Sequence, residues 1–145
     1  MREIILAATA ALAVLAGGAS AAPAKAVPTA ERVAACHQKA ADDQQRQKCL
    51  EMELELVTAE HKDAVERVTV VAKAWDKPHR TRQRWEKFTR SSQSFETFVK
   101  RECDFVRYTT KGSRTKEQNA ELACRINYYR MHTDVLENRH LAGDR

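Results

Sequence analysis

The chain has 145 residues, with 25 Lys and Arg against 20 Asp and Glu, a net charge of +5, and four cysteines. That length fits one domain with a core too small to do without reinforcement. Only four glycines are present and none is placed as in a phosphate loop, which argues against nucleotide chemistry.

Met1 and Arg2 give a short positive start, Ile4 to Ala16 are continuously apolar or small, and Ala19-Ser20-Ala21 supplies the small residues a signal peptidase needs. Gly17-Gly18 interrupts the run short of the roughly 20 apolar residues a spanning helix requires. Cleavage is expected after Ala21, since a cut after Ala22 would put Pro23 at the new N-terminus. Gly18 stands where a lipidated cysteine would be, so the expected product is soluble in the periplasm or secreted, not tethered. Residues 1–21 are thus read as a signal peptide, 22–28 as a flexible lead-in, and 29–142 as one helical domain.

A short first helix is expected from near Thr29, carrying Val33 and Cys36. Asp42 with Gln45 three residues on marks the start of a long helix. Along it Leu50, Leu54, Val57, His61, Ala64, Val68, Val71 and Trp75 recur at alternating spacings of four and three, one stripe on one face. Pro78 is expected to end it. A second stripe follows in Trp85, Phe88, Ser92, Phe95, Val99, Glu102 and Val106, and the six-residue connection Asp76 to Thr81 makes the two helices antiparallel with facing seams. Lys111-Gly112-Ser113 reads as a loop, and Thr115 with Gln118 as the cap of a last helix bearing Leu122, Ile126, Tyr129 and Leu136. Val68 to Val71 favour strand locally, but the surrounding period is helical. The fold class is all-α: an antiparallel bundle, or long helical hairpin, stapled by disulfides.

Cys36 and Cys49 have twelve residues between them, and Cys103 and Cys124 twenty. Behind an export signal an even cysteine count points to disulfides. Three connectivities are open; local pairing is the simplest, because each pair then brackets one helix-to-helix turn.

The series Cys-x12-Cys, a long helix, Gln93-Ser94-Phe95-Glu96-Thr97-Phe98 leading to Glu102-Cys103, then Gly112-Ser113 and Cys124 before a closing amphipathic helix resembles the LprI-type lysozyme-inhibitor family of small exported bacterial proteins. The likeness runs from about Cys36 to Leu141. The family usually has Trp where Phe95 stands, and an Arg-Asp pair where this chain has Val99-Lys100, so a packing aromatic is kept and a charged pair is lost. What the resemblance implies is a helical, disulfide-bonded envelope protein with lysozyme inhibition as its activity.

Catalytic and metal chemistries find little support. His37, His61, His79, His132 and His140 lack the spacing of a zinc site, and thiols behind an export signal are consumed by disulfides. His61 lies in the long helix's seam and reads as a register-setting polar residue. Glu51 and Glu55 share a helix face at i, i+4, a pattern more often a solvated face than a glycosidase pair. No catalytic residue, metal or cofactor is expected, and the chain is read as a non-enzyme.

Charge says more about partners. Residues 31–66 hold nine acidic and five basic side chains, whereas residues 67–116 hold fourteen basic and five acidic. Lys73, Trp75, Lys77, Arg80, Arg82, Arg84, Trp85, Lys87 and Arg90 interleave cations with aromatics around one turn. The export signal argues against nucleic acid and leaves acidic envelope polymers, lipid headgroups, or simply a solvated basic face. Two candidate surfaces result: Glu51, Glu53 and Glu55 for a basic partner such as lysozyme, and Arg82, Arg84 and Trp85 for an anionic one.

Overall fold

Four helices, without a strand, make up the described residues 28–144 of the computed structural model: α1 (Thr29–Lys39), α2 (Asp43–Asp76), α3 (Gln83–Thr109) and α4 (Arg114–Val135). A π-helical turn (Leu136–His140) and a short 3₁₀ turn (Ala142–Asp144) close the chain. The expected signal segment, residues 1–21, lies outside the described residues, as does all of the lead-in except Pro28. No described helix is long and apolar enough to cross a membrane.

The caps explain where the helices begin. Asp42 accepts from the Gln45 backbone N–H, an orphan donor of α2, and the Gln45 side chain reaches back past the cap to the Ala41 N–H, a variant of the reciprocal capping box. The last helix starts two residues earlier than Thr115 suggests: Ser113 is its cap, accepting from the Lys116 N–H. Gly112 precedes it at a φ of 143°, which a side chain would strain.

α2 ends at Asp76, two residues before Pro78, as expected, with Lys77 as its C-cap in right-handed helical dihedrals. The chain leaves the helix through paired bonds, Thr81 N–H to Asp76 O and Arg80 N–H to Lys77 O, with Arg80 at a φ of 51° where glycine is usual.

α2, about 50 Å long at 1.5 Å per residue, is the spine. α1 folds back antiparallel beside its first turns, and α3 returns antiparallel after the Lys77–Arg82 connection. α4 then runs parallel to α2: Asn119 donates to the Asp43 carbonyl at one end, and Arg67 pairs with Glu137 at the other. This differs from two helices with facing seams. The apolar stripe of α2 is covered chiefly by α4 and the turn after it, and α3 closes the remaining side, because Ile126 and Tyr129 of α4 and Leu136 of the π-helical turn lie at the matching rise.

The core accordingly falls into two clusters. Leu50, Val57 and Ile126 gather one, with Val33, Leu54 and Leu122 around them; Ala64, Val68, Leu136 and Leu141 gather the other, with Val65, Val71 and Phe88. Leu136 and Leu141, five residues apart, both reach this second cluster because the intervening turn is π-helical, closed by Leu141 N–H to Leu136 O. Both cysteine pairs are local: Cys36 with Cys49 (Cα–Cα 5.9 Å) joins α1 to α2, and Cys103 with Cys124 (5.6 Å) joins α3 to α4.

Candidate functional site

α2 presents its solvent side opposite the buried stripe, and Glu51 and Glu55 lie there one turn apart, both exposed. Between and beside them stand Met52, 62 % exposed, and Leu56, 44 % exposed. Sequence reading passed over these two because they fall off the core stripe, yet an apolar i, i+4 pair on the polar side of a helix is itself a signal. Neither Glu51 nor Glu55 makes an ion pair among the described residues.

Glu53 does not belong to that surface. It is 6 % exposed and turned inward, where Arg32 of α1 donates from Nε at 2.9 Å and Arg130 of α4 approaches to 3.6 Å. Burial works against the Glu53 carboxylate, but the bonds from Arg32 and Thr29 and the nearby cations outweigh it and hold its pKa below the ordinary value. Expected as part of an acidic docking face, Glu53 is instead the ionic joint of three helices.

At the far end of α2 the basic turn is an ordered structure. The Arg84 guanidinium lies 3.3 Å from the Trp75 ring centroid, and Arg82 (4.5 Å) and Lys73 (5.0 Å) both lie over Trp85. His79 stacks on Trp75 at 4.2 Å, and its Nδ1–H donates to the Trp75 carbonyl at 2.8 Å. Asp76 anchors the arrangement. Buried at the end of α2, it accepts from the backbone N–H groups of Arg84 and Trp85 (3.2 and 3.0 Å) and so caps α3, whose own N-cap residue Arg82 contributes no side-chain bond. A cavity of about 350 Å³ opens here between Lys73, Lys77, Arg82 and Trp85. The turn thus brings together all of Arg82, Arg84 and Trp85.

Between the two apolar clusters lies a polar aromatic layer. His61 of α2 faces His132 of α4, Nε2 to Nδ1 at 2.8 Å, one ring donating and the other accepting. Phe95 of α3 stacks on His132 at 4.0 Å, and Tyr129 donates to the Glu96 carboxylate at 2.7 Å. Glu96 also lies 3.8 Å from His61 Nδ1. Burial pushes the pKa of His61 down; the same cause, with His61 itself, does so for His132, and Glu96 opposes both. Burial and the Glu96 bond push the Tyr129 phenol up to about 12. A neutral imidazole pair beside a firmly protonated phenol offers no activated nucleophile. Its chemistry is positional: it fixes the rise of α3 and α4 on α2.

No protein-family model matches the chain, and neither a curated protein nor a solved structure does so at a significant level.

Proposed function

We propose that this chain is an exported protein of the LprI type that acts by binding, with lysozyme as its target. The observation that carries the reading is the surface formed by Glu51, Met52, Glu55 and Leu56, where two exposed apolar side chains sit among unpaired carboxylates on a rigid helix. Lysozymes are commonly basic, so such a surface supplies apolar anchors within a complementary field. The residue pattern around the four cysteines supports the family assignment. Inhibition by the purified protein against several lysozyme types tests it: Glu51→Lys with Glu55→Lys should abolish inhibition and leave helicity intact, whereas Arg82→Glu with Arg84→Glu should preserve or improve it. Inhibition indifferent to the acidic pair overturns the docking surface.

A second reading, an envelope module that holds an anionic polymer or membrane surface, is favoured by the stacking of Arg84 on Trp75 and of Arg82 and Lys73 over Trp85. Cations preset on aromatic rings lose little rotamer freedom on meeting an anion. Retention on an anionic polymer, weakening steeply with salt and lost in Arg82→Glu with Arg84→Glu, would single out this reading.

A further inference from the structure

Behind the basic turn, α2, α3 and the π-helical turn enclose a separate cleft of about 530 Å³, within the range of small-molecule sites. Its floor is apolar: Val68, Val71, Ala72 and Phe88, continuous with the second core cluster. Its lip is cationic, with Arg84 and Lys87 from α3 and Arg139 from the π-helical turn, and with His140 packed on Phe88 at 6.4 Å. No carboxylate lines it. Among the described residues Arg84, Lys87 and Arg139 take part in no ion pair, although this chain pairs Arg32, Arg46, Arg67, Arg107, Arg125 and Arg130 with acids.

The π-helical turn builds one wall. Leu136 and Leu141 are both committed to the core, which leaves the surplus residues of the wide turn, Arg139 and His140, exposed at the cleft. Such turns recur at functional sites because they redirect side chains at a cost in helix geometry.

We infer that the cleft binds a single-chain anionic amphiphile, its carboxylate or phosphate head held by Arg84, Lys87 and Arg139 and its hydrocarbon chain laid on Val68, Val71, Ala72 and Phe88. A polymer of charged sugars or an inorganic anion gains nothing from the apolar floor, and a neutral lipid leaves the three cations unanswered. Only a ligand with both parts satisfies both surfaces. The site is independent of the lysozyme reading; with the basic stretch of the polymer reading it shares Arg84 and Lys87, so the two are separated by Arg139, which lies outside that stretch, and by Arg82, which lies outside the cleft.

The two tryptophans, one of them carrying Arg84, make intrinsic fluorescence a reporter of the cleft. Titration with octyl, decyl and dodecyl phosphates and with the matching fatty acids, each below its micelle concentration, should give saturable one-to-one binding that tightens about fourfold per added methylene. Dodecyltrimethylammonium should give none. Lys87→Glu with Arg139→Glu should weaken binding about tenfold or more, with far-UV circular dichroism unchanged, and Arg82→Glu should alter it less than about twofold, since Arg82 lies outside the cleft. Preference for the phosphate or the carboxylate series tells a phospholipid-derived ligand from a fatty acid. Equal binding of the cationic surfactant, absence of a chain-length trend, or indifference to Lys87→Glu with Arg139→Glu overturns the inference. None of these outcomes bears on lysozyme inhibition.

Discussion

His61 Nε2 lies 2.8 Å from His132 Nδ1 across the α2–α4 interface, a bond that exists only while one of the two facing nitrogens is unprotonated. Burial lowers the pKa of both rings, each from the ordinary value of 6.5. Above pH 6.5 the imidazoles are neutral in folded and unfolded chains alike, and the pair contributes fully. As the pH falls below that value the unfolded chain takes up protons that the folded one refuses, so stability declines until the depressed folded values are reached. Denaturant titrations should show this loss, up to about 1.4 kcal/mol per pH unit for each proton. His61→Leu should flatten the slope, because Leu bridges the two apolar clusters and removes the repulsion that His61 exerts on a protonated His132. A slope as steep as that of the parent protein would count against the pair.

The Asp76 carboxylate caps a helix that starts several residues further along the chain. Asp76→Ala leaves the Arg84 and Trp85 N–H groups without this partner and should cost about 1–2 kcal/mol in chemical denaturation. Because those residues carry the stacked cations, near-UV circular dichroism of Trp75 and Trp85 should change with it, while total helicity holds. Loss of stability with an unaltered tryptophan signal would mean that the turn does not depend on Asp76.

The helices were legible because their stripes and caps are local: Asp42 with Gln45 announces α2, and Leu50 to Val71 repeat as a helix must. The arrangement of the helices was not. Facing seams on α2 and α3 are what a short connection predicts, yet α4 takes most of the α2 stripe, a choice set by three-body packing that no single stripe encodes. Glu53 was misplaced for a related reason. It falls among exposed glutamates in sequence, and its turn inward is decided by Arg32 and Arg130, 21 and 77 residues away. His132 was within reach, since it continues the Tyr129 and Leu136 face of α4, but its partner His61 could not be read from spacing. The basic turn was found as composition; its geometry depends on Asp76, whose role has no local signature.

Glu53→Gln tests that correction. Removing the charge from this buried carboxylate weakens the bonds from Arg32 and takes from Arg130 one of its two acids, Glu60 being the other, and the expected cost is about 2–4 kcal/mol. Glu51→Gln and Glu55→Gln on the solvent side should each fall within about 0.5 kcal/mol of the parent. Thermal melts of the three variants compare them directly. Equal effects would return Glu53 to the surface.

Arg80 holds a left-handed backbone that glycine adopts without steric cost. Relief of that strain exceeds the extra unfolded-state freedom of glycine, so Arg80→Gly should stabilise by about 0.5 kcal/mol. A rise in the midpoint of denaturation with unchanged slope is the expected record, and a fall would mean that the arginine side chain contributes more than its backbone costs.

The two disulfides should differ in what they protect. They close loops of similar length, with sequence separations of 13 and 21, and the chain-entropy model values each at about 3 kcal/mol. Their surroundings are unlike: Cys103 is fully buried between α3 and α4, whereas α1, which Cys36 secures, buries no residue completely. Without Cys36 and Cys49, α1 is held mainly by Arg32 on Glu53 and by Val33 against the first cluster, too little to order eleven residues. Hydrogen exchange on Cys36→Ala with Cys49→Ala should therefore show Thr29–Lys39 losing protection while α2, α3 and α4 keep theirs. Cys103→Ala with Cys124→Ala should instead lower protection throughout, because the α3–α4 joint lies inside the cooperative core. Peptide mapping of the parent protein without reduction should recover the two local cross-links. Uniform loss of protection in the Cys36 variant would make α1 part of that core rather than an arm stapled to it.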